Sequence, residues 1–334
     1  MGEDPESRDC MTEAVIGIDL GGTSVRAAVV SREGTVLARD SRPCESASGP
    51  DAVMAAMSKS VDAALKSARL DRSGVLAAGI GAPGPLNWQT GVVYRLPNLP
   101  GWHNVPLADA MSERLGITCY VDNDANCACY GEYWSGAGVG TQTMCLMTLG
   151  TGVGGGVVVF GKLLRGLDGT AGELGHMTVA KDGRRCGCGA RGCLEAYGSV
   201  SGMVRTAIEG MLDGEGTVLT QWSEGDYRRI SGKMIHEGMQ AGDLLCERVI
   251  HETGVWLGTA IADLINIFNP ERIILAGGMT EAGEALFAPI RETAKSMAFE
   301  VPAARAEIIA AAHGSDAGVI GAAGCALARL EGRA

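Results

Sequence analysis

At 334 residues the chain is long enough for about two domains, each with its own core. Its 46% hydrophobic and 20% charged residues fit a folded globular protein, and no apolar run reaches the length of a membrane span. A net charge of −11 lacks the basic footprint of a nucleic-acid binder, yet leaves an anionic ligand open, because backbone amides bind phosphate without Lys or Arg.

The polar start MGEDPESRDC has neither the basic end nor the apolar core of a signal peptide. It predicts a disordered leader over residues 1–13 of a cytoplasmic protein, in which the 11 cysteines stay reduced. AVIGIDLGGTSVRAAVV then reads as strand, glycine turn, strand, and GTVLARDSRP adds a third strand to an antiparallel meander. Residues 51–70 carry Val53, Met57, Val61, Ala64, Leu65 and Ala68 at helical spacing. VLAAGIGAPGP is a short buried strand running into a glycine–proline loop, and VPLADAMSERLG is a helix stopped by Gly116. ITCYVDNDAN is a strand ending in a polar cluster.

The second half repeats the plan. MCLMTLGTGVGGGVVVF is again strand, glycine turn, strand, and residues 241–268 form a long amphipathic helix that stops before Asn269-Pro270. RIILAGGM is a buried strand ending in glycines, and SDAGVIGAAGCALARL is a small-residue helix. The expected division is a small α/β domain over 14–120, with the helix 315–330 a candidate to complete it, and a large α/β domain over 121–314.

The glycine turns pose the first chemical question. LGTGVGGG contains a literal G-x-G-x-x-G, but a strand follows it where a dinucleotide fold needs a helix. The segment from Gly156 to Lys162 imitates a phosphate loop, yet Leu163 stands where a metal-binding hydroxyl belongs. What remains are two hairpin turns that can offer N–H groups and a small hydroxyl to an anion, or simply join strands. Asp19 beside the first turn favours phosphate, because a Mg²⁺ site of this kind needs only one or two carboxylates.

CGCGARGCLE sets Cys186, Cys188 and Cys193 close together among glycines. Three thiolates and a fourth donor complete a tetrahedral zinc site, and His176 in GELGHM is the nearest good candidate. A disulfide would leave one cysteine over, and no C-x-x-C redox pair is present.

DLGGT, LGTGVGGG and LAGGM resemble the phosphate and adenosine motifs of the sugar-kinase, heat-shock and actin superfamily. GAPGP, PNLPGW, DNDANCACYGE, GTAGELGH and CGCGARGCLEAYG resemble, in order, the ROK family in its glucokinase-like branch. The resemblance implies a two-domain actin-like ATPase (ribonuclease H-like) fold with an interdomain cleft, and an ATP-dependent kinase acting on O6 of glucose. N-acetylmannosamine or N-acetylglucosamine is the alternative substrate. It implies that Asp124, in N-D-x-N, is the catalytic base, and that Gly81, Asn98, Asn123, Glu173, His176 and Glu195 contact the sugar. It places phosphates on Gly21, Gly22 and Thr23 and on Gly150, Thr151 and Gly152, adenosine at Gly277 and Gly278, and Mg²⁺ on Asp19 through water. It assigns structural zinc to His176, Cys186, Cys188 and Cys193.

Blander roles stand beside these. Asp124 could cap the helix that follows it, and Glu195 could cap one beginning at EAYGS. A sugar-responsive ROK regulator is the rival of another class; the short polar segment before the first strand and the acidic charge disfavour it. The resemblance further implies a homodimer or homotetramer.

Overall fold

The computed structural model of the protein describes residues 13–96 and 99–333, so the leader before Glu13 and Asn98 fall outside it. The chain forms two compact units. One is the described part of Met1–Ser135 with Leu167–Gly169 and Asp316–Ala334; the other is Gly136–Gly166 with Thr170–Ser315.

The first unit is built on strands β1 (Ala14–Leu20), β2 (Ser24–Ser31), β3 (Val36–Pro43) and β4 (Val75–Ala82), followed by a small hairpin set of β5 (Leu86–Asn87), β6 (Val92–Arg95) and β7 (His103–Pro106), and then by β8 (Cys119–Asn123). The main sheet runs β3-β2-β1-β4-β8. Its first three strands form the antiparallel meander, while β1, β4 and β8 are parallel. Alternation along β1 divides its side chains. Ile16, Ile18 and Leu20 join the core with Val53, Met57 and Val61 of α1 (Pro50–Ala68), while Val15 faces the cluster containing Val319, Ile320 and Ala323 of the C-terminal helix (Ala317–Leu330). Helix α2 (Leu107–Leu115) ends on Gly116 in the left-handed conformation, and α3 (Asp124–Ser135) follows β8 directly. Arg329 stacks over the Trp88 and Tyr120 rings and donates to the Gln89 carbonyl at 2.6 Å, which pins the end of the C-terminal helix.

The C-terminal helix lies unusually close to the sheet, because glycines face it. A Cβ on Gly17 would lie 1.8 Å from the Val319 carbonyl oxygen, and one on Gly79 would lie 1.8 Å from that of Ala322. On the helix itself, a Cβ at Gly321 would lie 1.5 Å from the Cys127 carbonyl oxygen of α3. These helices also belong to the first unit, so the boundary expected near residue 120 falls instead between Ser135 and Gly136. The reason is long-range packing: α3 is held by a helix almost 200 positions later in the chain, and no local signal marks that.

The second unit repeats the sheet order as β11-β10-β9-β12-β13. The strands are β9 (Met144–Leu149), β10 (Val153–Val159), β11 (Lys162–Leu163), β12 (Arg272–Ala276) and β13 (Glu307–Ala310), again an antiparallel meander followed by parallel strands. Between β11 and β12 come α4 (Glu195–Gly198), α5 (Val200–Leu212), α6 (Val218–Trp222), α7 (Gly232–Gln240) and α8 (Leu244–Phe268), and α9 (Glu284–Met297) follows β12. Cys145, Met147, Leu149, Ile273 and Leu275 of the sheet pack with Val249, Leu257 and Ile261 of α8. Asp243 caps α8 by accepting from the Cys246 N–H at 2.9 Å. Among the described residues no helix is long and apolar enough to cross a membrane.

Adding a methyl group at Gly321 must push two helices apart, an overpacking cost of about 3 kcal/mol or more. Gly321→Ala is therefore expected to lower the first thermal unfolding midpoint by about 6–12 °C, measured by calorimetry. An unchanged midpoint would mean that the helix does not dock as described.

Candidate active site

In the first unit the candidate groups collect at the C-terminal ends of the parallel strands, the usual ligand end of such sheets. The register aligns Asp19 with Gly81 and Gly81 with Asp122, so three neighbouring strand ends carry one row. At about 4.8 Å per strand spacing, Asp19 and Asp122 are about 10 Å apart along the backbone. Asp124 follows immediately as the first residue of α3. A Cβ on Gly81 would touch the Asp124 Cα at 3.6 Å and the Cys127 Sγ at 3.3 Å, so a larger residue there would crowd the start of the helix.

The side chains at this start have distinct tasks. Asn123 Oδ1 accepts from the Ala125 and Asn126 N–H groups at 2.9 and 3.2 Å, so Asn123 supplies the helix cap. The blander reading gives the cap to Asp124, whose Oδ1 accepts the adjacent Ala125 N–H at 2.8 Å. The Asn123 oxygen is engaged in the cap, which leaves its amide donors for a ligand. Asp122, to which the sequence assigns no role, is buried and accepts from the Asn123 N–H at 2.8 Å and the Asn126 amide at 3.2 Å. It braces the turn that presents Asp124.

Around the first glycine turn, the Gly21 N–H closes on the Ser24 carbonyl at 2.9 Å, and Gly22 and Thr23 are exposed at the tip. Asp19 Oδ2 accepts from Arg26, whose Nε lies at 3.1 Å and whose terminal nitrogen is also bonded. Arg26 was not singled out from sequence. The signal was available, since a four-residue turn pairs Asp19 with Arg26 across the hairpin.

In the second unit, the Gly150 N–H closes on the Gly152 carbonyl at 3.0 Å, and the start of α5 locks the turn from outside. The Val200 N–H donates to the Gly150 carbonyl at 2.9 Å, and the Ser201 hydroxyl donates to that of Thr151 at 2.8 Å. Gly150 and Gly278 share the wall of a largely apolar pocket of about 340 Å³ with Met203, Ile250, Met279 and Leu286. Gly277 has φ of 101° and sits so close to the Leu149 carbonyl that a Cβ would lie 2.3 Å from it, so glycine is required there. Thr151 and Gly152 line a neighbouring pocket that also contains Glu195 and Cys186.

Glu195 does not cap its own helix, contrary to the blander reading. It reaches back to β10, where its Oε2 accepts the Val153 N–H at 3.1 Å; a side chain at Gly152 would collide with that oxygen. Its other oxygen lies 3.6 Å from Cys186 Sγ. His176 Nδ1 is 3.8 Å from Cys186 Sγ, Cys188 and Cys193 are 3.7 Å apart, and all four candidate ligand atoms lie within 4.8 Å of one another. A tetrahedral ion with metal–sulfur bonds of about 2.3 Å sets its ligands about 3.8 Å apart, so the cage has the right dimensions. The spacing is far too long for a disulfide. Burial pushes the Cys186 thiol up to about 12 and raises that of Cys193, whereas the Ala190 N–H draws Cys188 down. A divalent ion would supply the positive charge that ionises all three. Glu173 is exposed at the head of the turn that carries His176, whose N–H donates to the Glu173 carbonyl at 3.0 Å.

The model of the ROK family matches residues 15–329, and the chain belongs to that family. Its fold is the two-domain actin-like ATPase fold of the ROK sugar kinases. A glucokinase of Halalkalibacterium halodurans is 37% identical over 92% of this chain and 92% of its own length. The crystal structure of a ROK glucokinase from Streptomyces griseus, in complex with glucose and AMPPNP, is 36% identical with a TM-score of 0.79, covering 94% of this chain and 99% of that one. A ROK transcriptional regulator, a homologue of the E. coli MLC protein, is 27% identical with a TM-score of 0.83, covering 96% of this chain and 79% of that one.

If the cage holds a divalent metal, the purified protein is expected to carry one ion per chain, and Cys188→Ser is expected to lose it. Elemental analysis of both proteins reads this directly; equal metal content would remove Cys188 from the ligand set.

Proposed function

We propose that this protein is a glucokinase that transfers the γ-phosphoryl group of ATP to O6 of glucose. The observation that carries the reading is the row of strand ends Asp19–Gly81–Asp122, with Asp124 presented just beyond it. The glucokinase relatives at 36–37% identity support the same activity.

Phosphoryl transfer asks little covalent chemistry of a protein; it asks for a positioned base, positioned phosphates and charge neutralisation. Asp124 accepts the proton of the attacking hydroxyl. The Asn123 amide donors orient a sugar oxygen, the Glu195 and Glu173 carboxylates accept from sugar hydroxyls, and the His176 ring N–H donates to a sugar oxygen. The Gly21–Thr23 and Gly150–Gly152 turns bind phosphate oxygens through N–H groups other than those of Gly21 and Gly150, which close the turns. The apolar pocket beside Gly150 and Gly278 suits a purine base, and its size is near the lower end for small-molecule sites. Arg26 holds Oδ2 of Asp19, so Oδ1 is the oxygen placed to take a water of Mg²⁺. Mg²⁺ bound with ATP supplies charge neutralisation at the phosphates.

Zinc fits the cage of His176, Cys186, Cys188 and Cys193 by donor type and by size, as a closed structural site. With His176 Nδ1 directed at the cage, Nε2 is the ring atom left for the sugar. N-acetylmannosamine and N-acetylglucosamine remain the alternative acceptors, and a coupled assay across these sugars, glucose, mannose and fructose ranks them. The regulator reading rests on overall likeness to a ROK regulator and to xylose repressors, and predicts no turnover at all.

Asp124→Asn keeps the size of the side chain and removes the base. It is expected to fold and bind glucose normally while kcat falls by about 10²–10⁴-fold. Calorimetric binding and a coupled kinase assay measure both; near-normal turnover would take Asp124 out of the base role.

A further inference from the structure

Glu195 is held from its N-terminal side by the metal cage, because Cys193 is only two residues earlier. What holds the other side is Arg184. This residue lies two positions before Cys186, at the base of the cysteine loop, where its carbonyl accepts the Gly192 N–H at 2.8 Å. Its side chain is only 13% exposed and reaches out of the loop to the residues that follow Glu195. One guanidinium nitrogen donates to the carbonyls of Ala196 and Gly202 at 3.2 and 3.4 Å; the other donates to the Thr206 hydroxyl at 3.1 Å and pairs with Glu209. The guanidinium lies 4.8 Å from the centre of the Tyr197 ring, and the Tyr197 hydroxyl accepts the backbone N–H of Arg184 at 2.6 Å. Behind that ring stands Trp256 at 4.5 Å.

We propose that Arg184 is the positioning residue for Glu195. The proposal rests on the reading of Glu195 as a sugar contact. Helix α4 is a single turn of four residues, too short to hold its own geometry. Its carbonyls lack the donors a longer helix would supply; the Ser199 hydroxyl serves that of Glu195 at 2.7 Å, and Arg184 serves that of Ala196. The guanidinium can do this because it is a planar fork that serves several acceptors at once, while its charge is balanced by Glu209. With both flanks fixed, the Glu195 carboxylate stays between the Val153 N–H and Cys186. Without Arg184 the bonds of Ser199, Val200 and Ser201 still hold the end of the turn, but the guanidinium's bonds to Ala196 and Gly202 are lost, and the carboxylate loses part of its fixed direction toward a sugar hydroxyl.

A brace that served stability alone would move the melting temperature and nothing else. The test therefore compares Arg184→Lys, Arg184→Ala, Glu195→Gln and the double variant Arg184→Ala/Glu195→Gln, each with metal content, melting temperature, and kcat and KM for glucose and for ATP. Lysine retains a charge for Glu209 but cannot reproduce the fork. Both Arg184 variants are expected to keep their metal and to raise the glucose KM about tenfold, the scale of one hydrogen bond to a charged group, with the ATP KM within about twofold. The double variant is expected to bind glucose no worse than Glu195→Gln alone, because Arg184 acts through Glu195. A wild-type glucose KM in Arg184→Lys overturns the proposal, as do additive losses in the double variant or an equal rise in the ATP KM. Failure of the unaltered protein to phosphorylate glucose would overturn the kinase reading and this proposal together, which separates the two failures.

Discussion

The first unit depends on backbone lying directly against backbone. Gly17 and Gly79 let the C-terminal helix approach the sheet so closely that carbonyl oxygens occupy the places of side chains, and Gly321 does the same against α3. Interiors are packed like crystals, so such contacts define position to within a fraction of an ångström. Their consequence is local to the candidate chemistry. The face of β1 that carries Gly17 also carries Asp19, and a Cβ on Gly318 would lie 3.3 Å from the Asp19 carboxyl carbon. The helix held through Gly321 packs on α3, whose first residue is Asp124. One docking event therefore fixes both carboxylates, and the high glycine content is the means.

The second unit uses the same device for a different end. A Cβ at Gly175 would meet the Val153 carbonyl at 2.0 Å, and one at Gly155 would meet Leu174 at 2.5 Å, so the turn bearing Glu173 and His176 is pressed onto β10. The same residue, Val153, donates its N–H to Glu195. Val153 thus meets the histidine turn through its carbonyl and the glutamate through its N–H, and the cysteine loop closes the group. On the proposed reading, a metal in the cage takes no step in phosphoryl transfer and acts as the third support of a carboxylate that otherwise belongs to a four-residue helical turn.

Much of this was legible in the sequence because it is periodic or punctuated. Alternation exposed the hairpins on either side of each glycine turn, the spacing of Val53, Met57 and Val61 exposed α1, and Gly116 and Asn269-Pro270 marked helix ends. The cysteine spacing gave the cage and His176 its fourth corner. What could not be read was whatever depends on register or on contacts distant in sequence. Asn123 rather than Asp124 caps α3, a matter of one residue that local propensity cannot decide, since both side chains cap well. The domain boundary moved because α3 is claimed by a helix from the other end of the chain. Arg184 looked like one of several arginines near a loop; only the fold brings Ala196, Gly202 and Glu209 within its reach.

The cysteines show how one residue type is divided between two uses by its surroundings. Seven of the described cysteines lie buried outside the cage. Burial pushes Cys119 up to about 11 and Cys145 and Cys246 up to about 12, so they stay protonated, uncharged and unreactive near neutral pH. Cys127 matters most, because it lies one helical turn after Asp124. Its thiol is raised by the neighbouring Cys325 thiol and by burial, with Asp122 and Asp124 adding to the effect. It therefore brings no negative charge to the carboxylate proposed to take a proton. At Cys188 the arrangement is opposite: it is exposed and its thiolate is favoured by a backbone N–H, ready for a cation. The same thiol is thus an inert packing atom beside the proposed base and, at Cys188, a candidate metal ligand beside the proposed sugar contacts, and the difference is set by solvent and by one hydrogen-bond donor.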